Sequence, residues 1–137
     1  MNKKLYYPVI VGVLALLVGL SVLRPPISRT IVELRPSKLA IFNNSNRTVY
    51  VAAFEHQAAP YARWKPCEHP ARCTDLTIAP GRVLDLKFEL IYHWYSGAKV
   101  SVLWWHLLPD ALADNGYRMD GPHEVLVTTP NRVITGS

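Results

Sequence analysis

The sequence predicts a mainly β protein: a small antiparallel β-sandwich of about six to seven strands, preceded by one N-terminal transmembrane α-helix. Three observations carry this expectation. Residues 5–23 form a run of 19 residues with no charged side chain. From residue 38 onward, short apolar stretches alternate with clusters of Gly, Pro, Asn and Ser. One stretch, residues 83–90 (VLDLKFEL), places Leu84, Leu86, Phe88 and Leu90 on one side and Asp85, Lys87 and Glu89 on the other, the two-residue period of a half-buried strand.

Residues 1–4 are a short leader containing Lys3 and Lys4, and the apolar run follows directly. As a helix, residues 5–23 reach about 28 Å, close to the hydrocarbon thickness of a bilayer. Twelve of the 19 are Leu, Ile or Val, and each favours insertion near the bilayer centre by about 0.3–0.6 kcal/mol. Tyr6 and Tyr7 fall where an interfacial aromatic belt is expected, Pro8 sits in the tolerant first turn, and Arg24-Pro25-Pro26 ends the helix. The expected element is an uncleaved signal anchor. A cleaved signal peptide competes, but the run is long for one and lacks a small-residue A-x-A site. Lys3 and Lys4 place the N-terminus in the cytoplasm and the rest in the periplasm or an extracellular/lumenal space, with Arg24 and Arg29 weighing the other way. Gly12, Ala15 and Gly19 share one helix face, with Ala15 and Gly19 in small-xxx-small spacing; this suits helix packing in lipid, although such pairs also arise by chance.

Residues 24–37 (RPPISRTIVELRPS) are expected to be a Pro-containing linker with one short extended piece, and residues 38–137 the exported domain. Within it, residues 39–42 and 48–56 flank the turn formers NNSNR and read as a hairpin. A long loop over 57–74 holds both cysteines. Residues 76–78 precede the Pro-Gly turn APGR, and the strand at 83–90 follows. Further strands are expected at 98–106, 123–127 and 131–135, with a single helical turn within 107–116. The chain is long enough for one modest domain, so a covalent staple would help a core of this size.

The net charge of +5 is concentrated outside that domain. Residues 1–36 carry five Lys/Arg against one acid, whereas residues 37–137 carry ten against nine. A nearly neutral domain has no basic stripe to neutralise phosphates, which argues against nucleic acid as a partner. No P-loop, dinucleotide fingerprint or G-x-S-x-G occurs, so no cofactor and no catalytic residue is expected.

Residues 64–73, WKPCEHPARC, hold both cysteines of the chain. In an exported compartment, two cysteines with no third point to a Cys67–Cys73 disulfide. The rival is a metal site from Cys67, His69 and Cys73 with His56; its C-x-H-x3-C spacing lacks the paired C-x2-C of structural zinc, so no metal is expected. Free thiols are the third possibility, and a catalytic one would need an orienting base that only His69 could supply. The five histidines form no tight ligand pair, and Asp110, Asp114 and Asp120 lack EF-hand spacing for Ca²⁺.

The candidate interface or ligand-binding aromatics are Tyr92, Trp94, Tyr95, Trp104 and Trp105. Neighbours on a strand face opposite sides, so Trp104 and Trp105 cannot both enter one core. One of them lies on the outer face, either as an anchor or beneath a covering loop. Asn43-Asn44-Ser45 and Asn46-Arg47-Thr48 both match the N-glycosylation acceptor pattern, in a turn expected to be accessible.

The leading functional expectation is a non-catalytic, single-pass accessory subunit that docks on a larger membrane protein complex through its helix and exported domain. The alternative is a membrane-tethered ligand- or carbohydrate-binding module using the aromatic patch. An envelope enzyme is the third and weakest reading.

Overall fold

The structure, a computed structural model, describes residues 29–131. These residues are mainly β, in two antiparallel sheets of three and four strands. The strands are β1 (Thr30–Leu34), β2 (Lys38–Asn43), β3 (Val49–Glu55), β4 (Leu76–Ile78), β5 (Val83–Lys87), β6 (Lys99–Pro109) and β7 (Tyr117–Thr128). One sheet has the order β1-β2-β5 and the other β4-β3-β6-β7. The constant-type immunoglobulin arrangement sets the fourth strand beside the fifth; here it pairs with the third.

The two sheets share one apolar core. Leu39 and Ile41 from β2 and Leu86 from β5 meet Val49 and Val51 from β3, Ile78 from β4, and Val100 and Val102 from β6. Alternation along each strand sends these side chains to the inner faces. The alternation read in residues 83–90 holds through β5, where Leu84 and Leu86 turn inward and Asp85 and Lys87 outward. It stops there, because Phe88–Leu90 form a 3-10 turn. Phe88 is fully buried, but the turn swings Leu90 out to 72% exposure, so Leu90 is not a core residue.

The hairpin expected over 39–56 does not form: β2 and β3 belong to different sheets, and residues 44–48 arch between them. The cause is Asn43, which is fully buried. Its amide nitrogen donates to the carbonyls of Arg47 (2.7 Å) and Ile78 (2.9 Å), and its side-chain oxygen accepts from the backbone N–H and hydroxyl of Ser45. Its backbone N–H donates to Arg82 O and its carbonyl accepts from Gly81 N–H. Asn43 therefore satisfies its polar groups by joining the arch to both sheets, where a hairpin would have given each strand only its neighbour. The accessible acceptor expected at Asn43 is corrected by the same burial, while Asn46 is exposed.

The other differences are in length. The short extended piece expected within 24–37 is β1, paired with β2. No helical turn interrupts residues 107–109; β6 continues to Pro109, and a turn closed by Asp110 N–H to Gly116 O leads into β7. Residues 123–127 are part of this longer strand. Asn131 lies outside any strand, and the remainder of the strand expected at 131–135 falls outside the described residues. Among the described residues no helix is long and apolar enough to cross a membrane. The segment 5–23, with Gly12, Ala15 and Gly19, lies outside them.

Candidate functional site

Cys67 and Cys73 are joined in a disulfide, with Cα atoms 5.2 Å apart. The metal and free-thiol readings are set aside by that bond. Cys67, Cys73 and Asp75 do bring ligand-type atoms within 4.8 Å of one another, but bonded sulfurs are not the thiolates a metal takes. The bond lies within the long loop between β3 and β4, which also has short 3-10 turns at Ala59–Tyr61 and Pro70–Arg72; of these, only the second falls inside the ring the bond closes.

This loop lies against the outer face of the four-stranded sheet. Tyr50, Ala52 and Phe54, which alternate with the inward Val49 and Val51, join Trp105 in a second buried cluster. Ala59, Ala62, Trp64, Cys67 and Cys73 pack onto it from the loop. Trp105 is fully buried, stacks on Tyr50 at 5.9 Å and meets Trp64 at 5.4 Å. A buried indole needs a hydrogen-bond acceptor. Trp105 Nε1 donates to Cys67 O at 3.1 Å, and Trp64 Nε1 donates to Asp75 Oδ1 at 2.8 Å. The staple thus fixes the carbonyl that receives the Trp105 proton. Burial pushes the Tyr50 phenol above its usual value, with a smaller contribution from Tyr117.

On the solvent side of this loop, its own Lys65, Glu68, His69 and Arg72 face Asp114 and Asn115 of the turn between β6 and β7 across an open polar cleft of about 780 Å³. Asn115 Nδ2 donates to Glu68 O at 3.1 Å, and His69 packs edge-on against Tyr117 at 5.1 Å. The His69 Nδ1 accepts from Ala71 N–H, so its proton sits on Nε2. The cleft mixes charges of both signs. Asp110 lies 4.0 Å from Arg118 and Asp120 lies 3.6 Å from His123, while Asp114 borders the cleft; among the described residues the three aspartates do not bring their carboxylates together as a ligand group.

A smaller cavity of about 290 Å³ lies beside the irregularity in β6 between Trp104 and His106, bordered by Arg29, Thr30, Trp104, His106, Asp120 and His123. His106 is buried, and its Nδ1 donates to Thr48 O at 3.1 Å. No local pattern marks this grouping in advance, because it depends on a register shift between β6 and β7.

The five candidate aromatics separate. Trp105 is internal, so it is not an interface residue. Trp104 is half-buried, packed against the inner core and 5.7 Å from the His123 ring. Trp94 is also half-buried; it stacks on Phe88 at 5.4 Å and donates from Nε1 to Thr129 Oγ1 at 3.0 Å. Tyr92 and Tyr95 remain exposed, at 42% and 55%. They share the loop after β5 with Leu90, and Tyr92 is bridged to Phe54 near the end of β3. Tyr61, 79% exposed, stands on the turn after β3.

These exposed rings sit at the end of the domain opposite the chain's entry. The entry strand β1 begins beside Asn43 and the arch, and β3 runs from the arch to Glu55. Its seven residues span about 24 Å at roughly 3.4 Å each. No family model, curated protein or solved structure matches the chain.

Proposed function

We propose that the protein is a non-catalytic, single-pass, membrane-anchored accessory subunit whose domain lies outside the cytoplasm and docks on a larger membrane complex. The observation that carries this reading is the location of the exposed apolar side chains. Leu90, Tyr92 and Tyr95 project from one loop, about a strand length from the entry of the chain, while the remaining candidate aromatics are committed to internal contacts. Tyrosine anchors of this kind are favoured at protein interfaces. The disulfide supports an oxidising compartment. The apolar run 5–23, with Gly12, Ala15 and Gly19 on one face, supplies the anchor and a second contact within the bilayer.

The test is gentle detergent extraction from native membranes, followed by native electrophoresis of the wild type and of Tyr92→Ser/Tyr95→Ser. The wild type runs as a high-mass complex and the double variant is released as a smaller species. A wild-type chain that always runs as a monomer refutes the reading. The carbohydrate-binding alternative now rests on Tyr92 and Tyr95, because Trp105 is enclosed and Trp94 and Trp104 are packed. Glycan binding lost in the same double variant would favour it.

A further inference from the structure

The chain enters the domain beside a group of arginines. Arg29 O accepts from Asn44 N–H, Arg82 O accepts from Asn43 N–H, and Arg47 O accepts from the Asn43 amide and the Ser45 hydroxyl. The buried Asn43 therefore gathers Arg29, Arg47 and Arg82, from the entry, the arch and the turn before β5, at one end of the fold. All three are exposed. None belongs to the ion pairs formed among the described residues, which use Arg35, Lys38, Arg118 and His123. Next to them, Ile31, Phe42 and Val83 lie directly opposite one another across β1, β2 and β5. Ile31 is 46% and Val83 49% exposed, so the basic end carries an apolar margin.

Covalent reach fixes where this end can be. From Leu23, the last residue of the uncharged run, to Arg29 there are six residue steps. A fully extended chain spans at most about 20 Å over that distance. We infer that Arg29, Arg47 and Arg82 form a membrane-facing surface that seats the entry end of the domain on anionic phospholipid headgroups. The inference rests on the anchor proposed above. The occupant follows from the tether, which keeps these guanidinium groups near the headgroup layer, and from charge: a lipid phosphate complements Arg in geometry and sign. Seating this end on lipid leaves Tyr92 and Tyr95 pointing away from it, available to a neighbouring subunit.

The test uses the full chain in nanodiscs of phosphatidylcholine alone and of phosphatidylcholine with phosphatidylglycerol. A water-soluble arginine reagent, phenylglyoxal, is followed residue by residue by mass spectrometry, with the exposed Arg63 and Arg72 as internal references. Phosphatidylglycerol is expected to slow modification of Arg29, Arg47 and Arg82 roughly fivefold, corresponding to about 1 kcal/mol for each basic residue near an anionic surface. Arg63 and Arg72 keep their rates, and high salt removes the protection. Equal rates in the two lipids overturn the inference. Equivalent protection by inorganic phosphate in phosphatidylcholine nanodiscs overturns it in favour of a soluble anion. A chain that does not stay in either nanodisc removes the anchor and this inference together, whereas a retained chain with unprotected arginines removes only the inference.

Discussion

The outer face of the four-stranded sheet carries Tyr50, Ala52, Phe54 and Trp105 beneath the stapled loop, whereas that of the three-stranded sheet carries Ile31, Phe42 and Val83 beside Glu33, Lys38 and Asp85 in water. Both sheets use the same alternation on their inner faces. The difference comes from residues 56–75, which give one sheet a second apolar layer and the other none. A disulfide is useful there because the loop has little regular structure of its own. Each ordered residue loses conformational entropy, and the cross-link lowers that loss by restricting the unfolded chain.

Breaking the covered face is expected to have the largest effect. Trp105→Ala removes a fully buried indole, its stacking partners and its bond to Cys67 O. The expected loss is about 3–5 kcal/mol in denaturant unfolding of the full chain in detergent. On the open face, Val83→Ala, at a position 49% exposed, should change stability by no more than about 0.5 kcal/mol. Similar losses at both positions would mean that the two faces are not different.

Removing the staple comes next. Replacing Cys67 and Cys73 together by Ser frees a loop of seven residues. The chain-entropy relation gives a loss of about 2.4 kcal/mol, smaller than that for Trp105 because the apolar contacts can re-form. An unchanged unfolding midpoint would show that the loop is held by packing alone.

The smallest effects separate the faces by pH. On the covered face, the Tyr50 phenol is raised above 10.0 by burial. The folded state holds that proton more tightly, so the contribution is complete below pH 10 and declines as the pH rises past it. On the open face, Asp85 is held below its ordinary 3.8, first by the hydrogen bond from Lys38 Nζ (2.8 Å), with the charges of Lys38 and Arg35 adding to it and partial desolvation opposing. Its contribution is present above pH 3.8 and is lost as acid protonates the folded form. Unfolding measured across pH should therefore lose its Asp85-linked acid slope in Lys38→Met while keeping the alkaline one. An acid limb identical to the wild type's would contradict the pairing.

Much of the fold was legible because alternation and turn residues are local signals. Residues 76–78 read directly as a strand, the strand read over 83–90 is present as far as Lys87, and the Cys67–Cys73 pairing followed from there being only two cysteines in an exported domain. Three features were not legible. Asn43 looks like a hairpin-turn residue, yet its contact with Ile78 O depends on a strand 35 positions away. Leu90 continues the strand pattern in sequence, but the 3-10 turn rotates it outward. Trp105 was one of two adjacent indoles with opposite directions, and its burial needed the loop's position as well as the strand's period. One signal was available in β3: VYVAAFE has little polar alternation, the pattern of a strand covered on both faces.

Hydroxyl-radical footprinting of the full chain, oxidised and then reduced and alkylated, tests the second apolar layer most directly. Trp105 and Phe54 should be protected while Cys67–Cys73 is intact and become reactive once it is cut, whereas Phe88 and the half-buried Trp94 keep their rates. Reactive Trp105 in the oxidised protein would contradict the layer itself, and protection that survives reduction unchanged would contradict the role given to the staple.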